Sequence, residues 1–317
     1  MKGEGMRQAL KAMLITTCAL LMLSACGAGA ASGERRDAQT PLKVVTSFSL
    51  LSDMATVIGG SDVDVHNLVP VGVHPHDYEP RPADIRAAAD ADLLLYNGLN
   101  LEGGEHGWLI KLTKVVGQGK SNLVEVASEV KPLHITDSKG RTEVNPHAFP
   151  DPNAGIVMAT TIRDAFIQKD PHNADEYEAR AADYITKLKA MDEKYSALIA
   201  EIPPSQRVLV TSERAFQYLA KTYGLKEGFL WSVDTDETGT PEQIKSLVTF
   251  IEENDVPGLF VESNVDRRPM QTVATETGVE IDGVLMSDEI GKPGKMGDSY
   301  LEYLDHNITT IHRVLAP

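Results

Sequence analysis

At 317 residues, 42% hydrophobic and 24% charged, with 25 Gly and 17 Pro, the chain has the composition of a folded protein of one large or two medium domains. Disorder, collagen and coiled coil are excluded as descriptions of the whole. A formal charge of -16 would repel phosphate backbones and anionic headgroups, which excludes nucleic acid as a partner.

The chain opens with Lys2, Arg7 and Lys11 ahead of an apolar run from Ala12 to Leu23, too short to span a bilayer as a helix. Residues 1–25 therefore read as a secretory signal peptide. The run ends in Leu23-Ser24-Ala25-Cys26-Gly27, which resembles the bacterial lipobox, where cleavage precedes a cysteine that receives a lipid on its sulfur. Cys18 is discarded with the signal, so Cys26 is the one cysteine of the mature chain. That excludes an intrachain disulfide, a cysteine metal site and a thiol nucleophile. Residues 26–41, rich in Ala, Gly and charge, read as a flexible tether. No later segment has the roughly 20 apolar residues of a membrane-spanning helix. The protein is expected to be anchored to a membrane through Cys26 without crossing it.

From residue 42 onward, short β-branched runs alternate with helical patterns, the signature of βαβ units and mainly parallel sheets. Strands are predicted over 43–47, 63–69, 93–96 and 122–126, with helices near 50–58, 82–89 and 108–116. These fall in a first α/β lobe, residues 42–172. Residues 173–204 contain one long amphipathic helix, in which Tyr177, Ala181, Tyr184, Leu188, Met191, Tyr195 and Leu198 recur every three or four positions. Pro203-Pro204 ends it. A second α/β lobe, residues 205–317, has predicted strands at 207–211, 228–232, 258–261 and 279–285. Its helices fall near 214–223, 241–254, 269–277 and 299–315. Thr240-Pro241-Glu242 has the form of an N-cap and first helical turn.

Nine histidines are present. His66, His106, His134, His172, His306 and His312 have surface or capping contexts. His74 and His76 lie in a loop stiffened by Pro70, Pro75 and Pro80, just after a predicted strand, where α/β proteins place ligand groups. An extended His-x-His would point both rings the same way, so spacing leaves either or both open as metal ligands. His147 stands in another proline-rich turn, ahead of a helix from about Asn153. Glu213 and Asp288 each follow a predicted strand; the ordinary role of either is a turn or helix cap. Together, histidines from the first lobe and carboxylates from the second fall at strand ends facing a cleft. Imidazole with carboxylate suits Mn, Fe or Zn and is poor for Cu(I).

Several ordered motifs resemble the metal-binding solute-binding lipoproteins of bacterial ABC importers that handle zinc and manganese. They are Pro75-His76-Asp77-Tyr78-Glu79-Pro80, Asn145-Pro146-His147, the run from Val210 to Tyr218, Phe260-Val261-Glu262-Ser263, Ser287-Asp288-Glu289-Ile290-Gly291 and Gly297-Asp298-Ser299-Tyr300. The resemblance implies two α/β lobes joined by a long linking helix, with metal in the cleft between them. It implies His76, His147, Glu213 and Asp288 as the metal ligands and leaves His74 as a neighbour. The third ligand tends to be His in zinc importers and Glu in manganese importers, and the His-rich acidic loop of many zinc members is absent here. Both features imply Mn2+ as the cargo, with Zn2+ or Fe2+ as alternatives. Carboxylates add oxygen donors that can be bidentate, raising coordination above the four that Zn2+ favours, although the Irving-Williams order keeps Zn2+ the stronger binder at most sites. Two departures stand out: members often have Asp where this chain has Asn145, and Trp where it has Phe149.

The reading implied is a monomer, not an enzyme. It sits on the extracellular face of the bacterial cytoplasmic membrane and hands metal to an ABC permease driven by a cytoplasmic ATPase. Neutral imidazoles are required for ligation, so affinity is expected to fall below about pH 6.5. A zinc-specific receptor is the first alternative. A secreted zinc metallohydrolase built on His74 and His76 would need an open coordination position and a general base, and no such base lies near the pair in sequence.

Overall fold

The computed structural model describes residues 40–136, 140–233 and 239–317. The signal peptide, Cys26 and nearly all of the tether expected from the sequence lie outside the described residues.

The first lobe runs β1 (Leu42–Thr46), α1 (Ser49–Gly59), β2 (Val63–Asn67), α2 (Pro82–Asp90), β3 (Leu93–Tyr96), α3 (Trp108–Val116) and β4 (Leu123–Glu125). Its four strands form one parallel sheet in the order β2-β1-β3-β4. β3 reads Leu-Leu-Leu-Tyr without alternation because a parallel strand is covered on both faces. In α1, Leu50, Leu51, Met54 and Ile58 share the buried face, and each large side chain so buried contributes about 1.5–3 kcal/mol.

A hairpin follows, β5 (His134–Thr136) against β6 (Thr142–Val144), antiparallel. No strand is predicted there from the sequence, because each is three residues long and Ile135 is the only one of the six side chains fully buried. Then come α4 (Pro152–Lys169) and the linking helix α5 (Ala174–Glu201), whose 28 residues rise about 42 Å. Its buried face carries Tyr177, Ala181, Tyr184, Leu188, Tyr195 and Ile199, close to the predicted stripe. Arg180 ties α5 to the first lobe by donating to the Ile58 and Gly59 carbonyls at the end of α1 and to Asp62, each at 2.8 Å.

The second lobe contains β7 (Val208–Glu213), α6 (Gln217–Tyr223), β8 (Lys226–Trp231), α7 (Pro241–Glu252), β9 (Leu259–Glu262), α8 (Arg268–Thr277), β10 (Ile281–Leu285) and α9 (Tyr300–Leu315). β7 pairs with β8 and β9 with β10, both in parallel, and β7 lies alongside β9. Thr240 caps α7 as predicted: its hydroxyl accepts from Gln243 N at 3.3 Å while Gln243 Oε1 accepts from Thr240 N at 2.9 Å.

Two predicted boundaries differ from the structure around residue 213. β7 runs on to Glu213, paired with Trp231, and α6 starts only at Gln217. Arg214 N donates to the Trp231 carbonyl, which prolongs the extended backbone past the apolar run that marked the strand in sequence.

Among the described residues two hydrophobic cores result. The larger runs from the first-lobe sheet through α5 into Tyr300, Tyr303 and Leu304 of α9. The smaller, around Val210, Leu230, Trp231 and Val261, belongs to the second lobe. α9 packs against α5, α1 and β10, so the lobes share packing as well as the linking helix. Among the described residues no helix is long and apolar enough to cross a membrane.

Candidate metal centre

His76 sits in the loop between β2 and α2. The loop does not continue the strand as an extended His-x-His; it turns at Pro70, where Val73 N donates to the Pro70 carbonyl. The two rings part. His76 turns inward, while His74 Nδ1 lies 3.5 Å from Asn264 Nδ2 of the second lobe. The loop is pinned from its other side. Trp108 Nε1 donates to the Pro75 carbonyl at 2.8 Å, and Tyr78 donates to Asp84 at 2.7 Å. The Tyr78 and Trp108 rings meet edge to face at 5.4 Å.

His147 occupies the turn between β6 and α4. Asp151 caps α4 by accepting from Asn153 N at 2.9 Å, and Asn97 donates to the Pro146 carbonyl at 3.1 Å. Asn97 is itself held by Glu102, a buried carboxylate that accepts from Asn97 N and from Ser47 at 2.7 Å each. Phe149, in the position where the resembled family often has Trp, stacks edge-on to His147 at 5.9 Å and against Phe48 at 5.2 Å.

Glu213 is the last residue of β7, and its N–H donates to Glu262 Oε1 at 3.0 Å. Three residues separate it from the first residue of α6, whose N-cap position is taken by Phe216, so Glu213 does not cap that helix. Asp288 follows β10. Asn307 of α9 brackets the preceding strand end, accepting from Met286 N and donating to the Met286 carbonyl at 2.8 Å each.

The side chains of His76, His147, Glu213 and Asp288 converge, with one donor atom from each lying within 4.8 Å of the others. The two Nε2 atoms are 3.3 Å apart. Asp288 stands 3.3 Å from His147 Nε2 and 3.5 Å from His76 Nε2, and Glu213 Oε1 is 3.7 Å from His147 Nε2. Ligands about 2.1 Å from one centre in near-tetrahedral array stand about 3–4 Å apart, so the spacing fits a single cation. All four are buried, His76 at 7% exposure and His147 and Glu213 at zero. Burial pushes the Asp288 carboxyl up, but the facing His147 and His76 outweigh it and hold the carboxyl well below the usual range. Two ionised carboxylates offset the charge of a divalent ion, which lowers the cost of burying it. The donor set therefore fits a divalent transition metal.

Of the remaining histidines, His66 pairs with Asp84 at 2.9 Å, His306 meets the Val284 carbonyl and His312 pairs with Glu201, all away from the cluster. Sequence reasoning named Glu262 and Tyr300 within motifs without giving them a role. Glu262 orders the Glu213 backbone, and Tyr300 donates to the Phe149 carbonyl at 2.6 Å, two residues from His147.

A family profile described as zinc-uptake complex component A, periplasmic, matches residues 44–314. The chain is 39% identical over 312 residues to a metal ABC transporter substrate-binding lipoprotein of Streptococcus parasanguinis, covering 98% of this chain and all of that one. It is 37% identical to a manganese ABC transporter substrate-binding lipoprotein of Streptococcus mitis, with 96% and 98% covered. Among solved structures, a Mn-bound periplasmic metal-binding protein from Candidatus Liberibacter asiaticus superposes with a TM-score of 0.77 at 30% identity, covering 86% of this chain and 98% of that one. With a two-lobed fold, a convergent imidazole and carboxylate cluster and a profile match over nearly all the described residues, this chain belongs to the family of metal-binding solute-binding proteins of ABC importers.

Proposed function

We propose that this protein captures Mn(II) outside the cytoplasmic membrane through His76 Nε2, His147 Nε2 and the carboxylates of Glu213 and Asp288, and delivers it to a membrane permease. The observation that carries this reading is the buried convergence of two imidazoles from one lobe and two carboxylates from the other. The metal is cargo, and the protein is not an enzyme. Two carboxylates can supply up to four oxygens, a donor set that accommodates the higher coordination of Mn(II) better than a three-histidine site. The manganese-named relative and the Mn-bound structure support the same cargo.

The working unit in this proposal is residues 42–317, with lobes 42–172 and 205–317 flanking the linking segment 173–204. Signal cleavage after Ala25 and lipidation of Cys26 would tether it to the extracellular face of the membrane as a monomer; relatives are lipoproteins. Because every ligand is buried, cargo exchange requires the lobes or the 70–81 loop to part, and docking on the permease and its ATPase supplies the occasion.

The test is elemental analysis of protein purified without chelator, with Mn(II) and Zn(II) competed while thermal stability is followed. A ligand at one hundred times its Kd stabilises by about 2.7 kcal/mol. One equivalent of metal, reversible Mn(II) binding and a chelator-induced fall in Tm are expected. Irreversible Zn(II) binding with no stabilisation by Mn(II) would make zinc the cargo, and no metal effect on Tm would refute the site.

A further inference from the structure

Asn145 departs from the aspartate common in the resembled family, and its amide is used in full. Its side chain is wholly buried. On one side Oδ1 accepts from His147 Nδ1 at 2.9 Å and from the His147 backbone N–H at 3.0 Å. With the hydrogen on Nδ1, Nε2 keeps its lone pair for the cluster. On the other side Nδ2 donates to the Arg214 carbonyl at 2.9 Å and to Gln217 Oε1 at 3.1 Å. Gln217 in turn donates to the His134 carbonyl at 3.1 Å, which fixes the orientation of its own amide. The direction of donation is thus set from His147 through to His134. The Asn145 main chain joins in: its carbonyl accepts from Tyr218 at 2.9 Å, and the Tyr218 oxygen accepts from Leu133 N at 2.9 Å.

Arg214 and Gln217 flank the turn that directly follows Glu213. A single amide therefore touches a first-lobe imidazole with one end and the backbone beside a second-lobe carboxylate with the other. We propose that Asn145 is a positioning residue that fixes the tautomer of His147 and, through its NH2 group, stitches the lobes together at the metal site. The proposal rests on His147 and Glu213 being ligands. It assigns the amide a task that a carboxylate at this position cannot perform. Aspartate would keep the acceptor for His147 but lose both donors, and it would set a charged oxygen against the Arg214 carbonyl and Gln217 Oε1. Slow metal release follows from two partly buried hydrogen bonds that must break before the lobes separate here.

The experiment uses the full chain loaded with Mn(II), mixed with excess EDTA to follow release, and the same protein loaded with Co(II) to record its d–d spectrum. Asn145→Asp is expected to keep the native Co(II) spectrum, since the donors and the His147 tautomer survive, while releasing Mn(II) about tenfold or more faster. Gln217→Ala removes one acceptor without burying a charge and is expected to accelerate release in the same direction by less. Asn145→Ala loses both functions, so its spectrum changes as well. A purely packing role would lower Tm in all three and leave the Asn145→Asp split between spectrum and release rate unseen. Native release rates in both Asn145→Asp and Gln217→Ala would overturn the stitch, and if Asn145→Asp does not fold, a native rate in Gln217→Ala does so alone. His147→Ala separates the two levels of inference: metal retained in that variant refutes the site, whereas metal lost there with native release in the other variants refutes only the stitch.

Discussion

Replacing Glu213 by Gln keeps the shape of a wholly buried side chain and removes one charge. In the proposed site Glu213 and Asp288 together would balance a divalent cation, so the variant would leave one unit of positive charge uncompensated in the interior. Breaking a buried ion pair from one side costs about 3–5 kcal/mol. At 1.4 kcal/mol per decade, Mn(II) affinity should fall by roughly a hundredfold to a few thousandfold. In the metal-free protein the sign reverses. Glu213 shares its surroundings with Asp288 and with Glu262, which accepts from its own backbone N–H. Removing one of three neighbouring buried carboxylates relieves desolvation and repulsion, so the metal-free Tm should stay level or rise. Calorimetric titration of Mn(II) into metal-free native and variant protein, paired with thermal melts of both, reads the two effects separately. An affinity within about threefold of native, less than 0.7 kcal/mol, would refute the charge-balance argument. A large fall in the metal-free Tm would show that Glu213 is structural instead.

Two further outcomes follow from the supports of the site. A Cβ at Gly155 would lie 2.5 Å from the Tyr300 hydroxyl and 3.0 Å from its ring, so Gly155→Ala should displace Tyr300 from the Phe149 carbonyl and cost about 1–3 kcal/mol; an unchanged melt would count against that packing. Burial pushes the Asp84 carboxyl up, but hydrogen bonds from His66, Tyr78 and Arg81 N outweigh it and hold it below its ordinary value. A depressed carboxyl stabilises the fold above its unfolded value near 3.9 and loses that contribution as pH falls through the folded value. The stability gap between native and Asp84→Asn should therefore shrink as pH falls below about 4; denaturant melts showing a gap that widens there would contradict this.

Local chemistry made most of the fold legible in the sequence. The apolar run of β3, the stripe of α5 and the Thr240 cap of α7 each depend on neighbours within one element, and each appears where it was predicted. The hairpin of β5 and β6 was not legible, because strands of three residues carry too few side chains to show a period. His76, His147, Glu213 and Asp288 could be named through motifs, yet spacing alone left His74 equal to His76. The folded loop separates the two rings, sending His76 into the cluster and His74 towards Asn264, and the Pro75 carbonyl between them is held by Trp108, far along the chain. The same holds for Glu213, whose capping role in sequence gives way once β8 prolongs its strand. Residue types determined by themselves which chemistry was available: imidazoles and carboxylates, and no cysteine outside residues 1–26. Tertiary structure decided which of them share one point in space, because a metal site is a matter of distances between atoms some 60 to 210 positions apart, which no local pattern encodes.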